Sequence, residues 1–328
     1  MSAPGGSAAP RFHLPGDSIV GRETLADGAS IRTLVLKHRA PIANLLVLTG
    51  RADFLEKWAD AWAALASAGF ALASFDWRGQ GGSTRLVEGE VGHIDSFDTW
   101  LADLDQLGRW ALAALPPAPW LVLGHSMGGH LLTRWLADPA RAPHPLRAEL
   151  VGAILAAPLF GLGAPWPLKA AALAAAPLQV ARGQGARFAW GQGPYGARQQ
   201  APARQLLLTG SRAQFEDEGR WVRARPELAV GGVSWGWLKA FADSERALEA
   251  LPLEALDLPI LLLMAARERL VDNRAAMRIA ARLPRAERHI VPGAAHELLR
   301  EAEPARQEAL RKIRDFALRA INREGQAP

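Results

Sequence analysis

The chain of 328 residues contains no cysteine. Disulfides and thiolate metal sites are thereby excluded, and the redox compartment is left open. Unbroken apolar runs are missing as well. The nearest candidate for a membrane span, residues 151–181, carries Lys169 as its one charge but is interrupted by Gly161, Gly163, Pro165, Pro167 and Pro177. A spanning helix of about 20 apolar residues tolerates such breaks poorly. The opening MSAPGGSAAPRFHLPGD has no apolar stretch of the kind a secretory signal needs. Its Gly, Pro, Ser and Ala content predicts a disordered lead-in over residues 1–16. Without signal or span, the expected location is the cytoplasm, either soluble or peripheral at the inner face of the cell membrane.

Acids are the next absence. Residues 150–215 hold none, but they hold Lys169, Arg182, Arg187, Arg198, Arg204 and Arg212, while the whole chain is only +5. This imbalance favours an anionic partner surface, such as a phospholipid headgroup layer. The competing reading is a solvated arginine-rich face. No P-loop and no metal-spaced His/Asp cluster occurs, so no cofactor, metal or nucleic acid is expected. Gly191, Gly193 and Gly196 fit G-x-G-x-x-G, but no buried strand precedes them and Pro194 interrupts them, which argues against a dinucleotide site.

What is present is rhythm. Hydrophobic residues make up 49% of the chain, ample for a large core. SIVGRETL and SIRTLVLKH alternate as a hairpin around Ala26-Asp27-Gly28. Short buried-type strands follow (ANLLVL, FALASFDW, PWLVLG, LVGAILAAP, LPILLLMA, RHIVP), separated by amphipathic helical runs such as SFDTWLADLDQLGRWALAAL. This alternation predicts an α/β fold with a mostly parallel sheet covered on both faces. The rhythm stops between residues 159 and 250, a stretch rich in Gly, Pro, Trp and Arg. So long a segment without structure is implausible in a compact domain, and an inserted helical cap is expected there. The core is then residues 17–158 and 251–328. The cap tryptophans, among them Trp166, Trp190, Trp221, Trp235 and Trp237, suit either an acyl pocket or a core.

The stretch LVLGHSMGGHLL carries the chemistry. Gly124-His125-Ser126-Met127-Gly128 fits G-x-S-x-G between a strand and a helix, the context in which that motif exposes a nucleophile. A side chain at 124 or 128 would collide with the neighbouring strand or helix. Serine needs a base oriented by an acid, in the chain order Ser, acid, His on this topology. His296, in VPGAAHELLRE, lies on a small-residue loop past the last strand. His93, His125 and His130 suit structural roles better. For the acid, Glu268 sits nearest the end of strand LPILLLMA, and Asp272 looks like a helix N-cap; Glu268 is favoured, with Asp272 as the alternative. The oxyanion hole is expected from the backbone N–H groups of Met127 and Arg51, with Gly50 permitting the turn. The Arg51 side chain is within reach of a substrate phosphate, although a surface salt bridge is the ordinary expectation.

Together TGRADFLEKW, FDWRGQGGSTR, GHIDSFDTWLADL, GHSMGG, LTGSRAQFE, GGVSWGWLKAF, RERLVDNRAA and PGAAHELLRE resemble the α/β-hydrolase superfamily, in its bacterial lysophospholipase and monoacylglycerol-lipase-like branch. The resemblance spans residues 49–301. It implies an α/β-hydrolase fold with a helical lid, no cofactor, and a serine carboxyl-ester hydrolase acting on lipid-like acyl esters. Monoglyceride lipases usually have His-Gly where this chain has Thr49-Gly50, and Asp where it has Glu268, which moves the resemblance towards lysophospholipases. A serine aminopeptidase or acyltransferase on the same scaffold is the alternative activity. A non-catalytic small-molecule receptor with this fold is the alternative class.

Overall fold

The computed structural model describes residues 9–163 and 165–324. The strands are β1 (Ile19–Thr24), β2 (Ser30–Leu36), β3 (Ala43–Leu48), β4 (Phe70–Phe75), β5 (Trp120–His125), β6 (Leu150–Ala156), β7 (Ile260–Ala265) and β8 (Ala286–Val291). They form one sheet in the order β1-β2-β4-β3-β5-β6-β7-β8. The β1–β2 and β2–β4 pairs are antiparallel, and every other pair is parallel. Strands β3 to β7 are buried at every position, which is why their sequences are unbroken apolar runs. The edge strands β1 and β8 keep polar and exposed positions.

Among the described residues ten α-helices accompany the sheet: α1 (Ala59–Ser67), α2 (Phe97–Ala114), α3 (Met127–Ala137), α4 (Pro145–Ala148), α5 (Trp166–Ala181), α6 (Pro202–Leu208), α7 (Arg212–Ala224), α8 (Trp235–Ala250), α9 (Asn273–Ala281) and α10 (Ala305–Glu324). One face of the sheet is covered by α1, the turn that precedes it and α10, through Trp58, Trp62, Leu65, Ile313 and Phe316. The other face is covered by α2, α3 and α9. Helix α2 starts where Ser96 Oγ accepts the Asp98 N–H, and it buries Trp100, Leu101, Leu104 and Leu107 at helical spacing.

Helices α5 to α8 lie between β6 and β7 and contribute no strand to the sheet. Helix α8 ties this insertion to the core. Trp237 stacks on Phe241 with ring centroids 5.4 Å apart, and both pack against Phe97 of α2.

The expected disordered lead-in needs correction in part. Residues 1–8 lie outside the described residues, but residues 9–14 run along α7. Asp217 accepts the Arg11 and Phe12 N–H groups, the Trp221 indole donates to the Phe12 carbonyl, and the His13 ring packs edge-on to Trp221. Partners some two hundred positions away in the chain override a composition with little intrinsic order.

From β3 the chain moves outward to β4, then returns across β3 to β5. The β3/β5 boundary is therefore the switch point, where open α/β sheets place ligands beyond the carboxyl ends of their strands.

Phe316 is 1% exposed and lies close enough to Gly152 of β6 that a Cβ there would stand 3.0 Å from its ring. Phe316→Ala should therefore cost about 3–5 kcal/mol of stability, read as a lower denaturation midpoint in urea. A change below about 1 kcal/mol would mean that α10 does not anchor this face.

Candidate active site

Ser126 sits between β5 and α3 with φ 52° and ψ −116°. Such left-handed geometry is strained for any residue with a side chain. It is held in place from both sides. The Ser126 N–H donates to the Ala156 carbonyl at 3.0 Å, and the Ser126 carbonyl accepts N–H groups from Gly129, His130 and Leu159. The flanking glycines are needed for close approach. A Cβ on Gly124 would stand 2.6 Å from the Gly128 carbonyl oxygen, and one on Gly128 would overlap the carbonyls of Leu48 and Thr49 at the end of β3.

The loop after β8 brings His296 over this elbow, with Nε2 2.9 Å from Ser126 Oγ. On its other side, His296 Nδ1 lies 2.8 Å from Glu268 Oε2. The other carboxylate oxygen of Glu268 accepts the N–H groups of Arg269, Leu270 and Val271. Of the two candidate acids, Glu268 is thus the one against the histidine. Asp272 caps α9, accepting the Arg274 N–H at 2.8 Å.

Burial on its own would lower the His296 pKa, but the charge and hydrogen bond of Glu268 outweigh it and raise the pKa above its ordinary value. For Glu268, burial pulls upward, and His296 with the Leu270 and Val271 N–H groups brings the pKa below the ordinary range. The two other histidines beside the elbow behave in the opposite way. His125 is pushed down to about 4 by burial and by His296, and His130 down to about 3 by burial and Arg134. Both hydrogen-bond backbone carbonyls, of Ala156 and Leu159 respectively. His93, on its own loop, meets Ser234 Oγ at 2.8 Å.

Among the described residues, neither the Met127 nor the Arg51 backbone N–H donates to a protein acceptor. Both are free for an incoming oxygen. The turn after β3 differs in detail from expectation: the left-handed residue is Ala52, with φ 61°. Gly50 instead serves close approach, since a Cβ there would come 3.2 Å from Ser126 Cβ and from the His125 ring. Among the described residues the Arg51 guanidinium forms no surface salt bridge; it donates to the Gly231 carbonyl at 2.9 Å.

Sequence reasoning missed a buried charge cluster under the site. Lys57 Nζ lies 2.7 Å from Asp53, 2.8 Å from Glu297 and 3.1 Å from Glu218. Burial would lower the Lys57 pKa, but the three carboxylates raise it, while Asp53 and Glu297 are held below their usual range. Asp53 also accepts the Gly50 N–H at 2.7 Å. The motif LEKW and the acid beside His296 were visible, but nothing local pairs them with Glu218 on α7.

These groups open onto a cavity of about 240 Å³ that also touches Leu159, Leu208, Val230, Leu270 and Val271. Among the described residues no tryptophan lines it, and the Trp166 side chain lies outside them. Trp235 and Trp237 are core residues, and Trp190 is 59% exposed.

An eight-stranded sheet of this order, with a serine elbow after β5 and loops from β7 and β8 converging on it, defines the α/β-hydrolase class. The chain belongs to the family described as "Serine aminopeptidase, S33", whose model matches residues 39–303. It is 27% identical over 285 residues to the probable lysophospholipase L2 of Haemophilus influenzae, covering 87% of each chain. It is 31% identical to lysophospholipase L2 of Escherichia coli K12, over 83% of this chain and 79% of that one. Among solved structures, a soluble variant of monoglyceride lipase from Saccharomyces cerevisiae, in complex with a substrate analog, matches with a TM-score of 0.73 at 15% identity, over 95% of this chain and 99% of that one. At such identity the likeness concerns the fold.

The histidine's environment is testable directly. In Glu268→Gln the raising charge is gone and burial remains, so the His296 pKa should fall. Asp272→Asn should leave it in place. NMR titration of the imidazole reads both, and the opposite pattern would transfer the partnership to Asp272.

Proposed function

We propose that the chain is a serine carboxyl-ester hydrolase acting on lipid-like acyl esters, a lysophospholipase or monoacylglycerol lipase in substrate class. The observation that carries this is the continuous hydrogen-bonded line from Glu268 through His296 to Ser126. Ser126 Oγ attacks the ester carbonyl carbon while its proton passes to His296 Nε2. The carbonyl oxygen gains the negative charge and takes hydrogen bonds from the Met127 and Arg51 N–H groups, aided by the N-terminus of α3. Collapse breaks the ester C–O bond, and His296 returns the proton to the departing alcohol. Water, activated by the same histidine, then attacks the acyl-enzyme and releases the fatty acid. Glu268 holds the imidazole tautomer and stabilises the imidazolium.

The aminopeptidase reading is less well supported by the cavity. A substrate ammonium needs a carboxylate, and Asp53, Glu218 and Glu297 are all engaged by Lys57. The lipid reading draws support from the two lysophospholipase L2 relatives.

Ser126→Ala should lower hydrolysis of a p-nitrophenyl ester by about a thousandfold or more with an unchanged thermal melt, and should abolish labelling by a fluorophosphonate. Wild-type activity should rise along an acid limb centred above the ordinary histidine value of about 6.5, because the base works when neutral and its pKa is raised. Near-normal turnover by a folded Ser126→Ala protein would end this assignment.

The cap supports a second element of the proposal: peripheral contact with an anionic membrane from the cytoplasmic side. Leu168, Leu178, Trp190 and Leu206 are exposed by 52–64% on the stretch that has six basic residues and no acid. Among the described residues no helix is long and apolar enough to cross a membrane. Binding to anionic vesicles should therefore exceed binding to neutral ones and fall as salt rises. Equal, salt-insensitive binding would make the arginines a solvated face.

A further inference from the structure

The cavity over Ser126 carries positive charge that the proposed chemistry does not use. Arg51 enters it from the loop after β3, Arg198 from the loop before α6, and Arg204 from α6 itself. Arg198 is at the exposed rim, while Arg51 and Arg204 are partly buried. Arg51 and Arg198 donate to carbonyl oxygens, of Gly231 and Gly191. Among the described residues, none of the three guanidiniums is paired with a carboxylate. The cavity's own carboxylates are gathered round Lys57 instead.

Such an arrangement is costly when the cavity is empty. Burial, and then repulsion by Arg204, push the Arg51 pKa down to about 10, against the pull of Asp53 and Glu218. An oxyanion between them would turn that repulsion into charge-assisted, bidentate hydrogen bonds. A quaternary or primary ammonium would find nothing comparable. Among the described residues the carboxylates that face it are already ion-paired with Lys57, and Tyr195 alone is no aromatic cage. At about 240 Å³ the cavity is also smaller than the roughly 300–1,000 Å³ typical of drug-sized ligands, so it suits a headgroup rather than a whole lipid.

We infer that Arg51, Arg198 and Arg204 form a phosphate subsite that selects lysolipids whose headgroup is net negative over zwitterionic ones. This rests on the ester-hydrolase reading above and deepens it. The Arg51 backbone N–H meets the ester oxygen while its side chain reaches the phosphate, so one residue spans the glycerol that separates them.

The experiment compares kcat/KM for lysophosphatidylglycerol, lysophosphatidylcholine and a monoacylglycerol of the same medium chain length, all below their micelle concentrations so that no surface contributes. A p-nitrophenyl ester serves as reference. The anionic lysolipid should be preferred over the zwitterionic one by about tenfold or more. Arg204→Gln should erase most of that ratio, and Arg204→Lys should retain part of it. Thermal melts of both variants separate this effect from unfolding. Hydrolysis of the reference ester with no preference between the lysolipids, or a ratio unmoved in folded Arg204→Gln, would overturn the subsite alone. No hydrolysis of any ester would overturn the ester-hydrolase reading itself, and the subsite with it. Competition of the reference reaction by inorganic phosphate as strong as that by glycerophosphoglycerol would assign the arginines to a free oxyanion and overturn the headgroup.

Discussion

The Lys57 ammonium, buried among Asp53, Glu218 and Glu297, joins the three segments from which the site is made. Asp53 belongs to the loop that offers the Arg51 N–H and also pins the Gly50 N–H. Glu297 follows the histidine, and its own second partner is Arg300. Glu218 is on α7 of the insertion. Each carboxylate would be expensive to bury alone, and so would the ammonium. Their mutual satisfaction therefore requires the Arg51 loop, the histidine loop and the insertion to be in register at once. The backbone repeats the message: the Glu297 N–H donates to the Leu208 carbonyl at the end of α6, and Thr209 Oγ1 donates to the Arg300 carbonyl. The histidine loop is thus held by the cap as well as by the sheet.

Three buried imidazoles near one elbow illustrate how partners decide chemistry. All lose solvation, which favours the neutral ring. Of the three, His296 is the one hydrogen-bonded to an ionised carboxylate, and its pKa is the one that moves up. His125, whose ring centroid is 4.9 Å from that of His296, is kept neutral in part by that neighbour. A neutral His125 adds no positive charge that would oppose formation of the imidazolium. The same residue type has a raised pKa at one position and forms an uncharged wall at the next.

Much of this was legible beforehand because it is written in local pattern. Unbroken apolar runs predict doubly covered strands, and β3 to β7 lie on those runs. The elbow is readable because Gly124 and Gly128 have a steric reason that sequence spacing reveals. The preference for Glu268 over Asp272 followed from position relative to a strand end and a helix start, both local signals. What was not legible comes from residues remote in sequence. The pairing of Lys57 with Glu218, the docking of residues 9–14 on α7, and the Arg51 bond to Gly231 need the fold before they exist. The cap resisted reading for another reason: short helices such as α6, with seven residues, carry too few turns for a period to emerge. The tryptophans there gave no way to choose between pocket and core, and burial in the structure makes Trp235 and Trp237 core.

Core and cap differ in how completely their groups are satisfied. In the core, charges such as Arg32, Glu56 and Asp76 or Arg78 and Asp103 are buried in mutual contact, and the sheet's apolar surface is covered on both faces. The cap leaves Leu168, Leu178 and Leu206 in solvent, and two of its arginines line the cavity without carboxylate partners. Exposed apolar side chains beside uncompensated cations match the two halves of an anionic amphiphile, one lacking solvent and the other lacking countercharge. A buried core of paired groups has no such demand to make. The core also exposes apolar side chains, at Ile19, Val20, Met277 and Ile290, but on the cap such residues share a stretch with cations that have no carboxylate partner among the described residues, and it is there that the proposed lipid with a negative headgroup would bind.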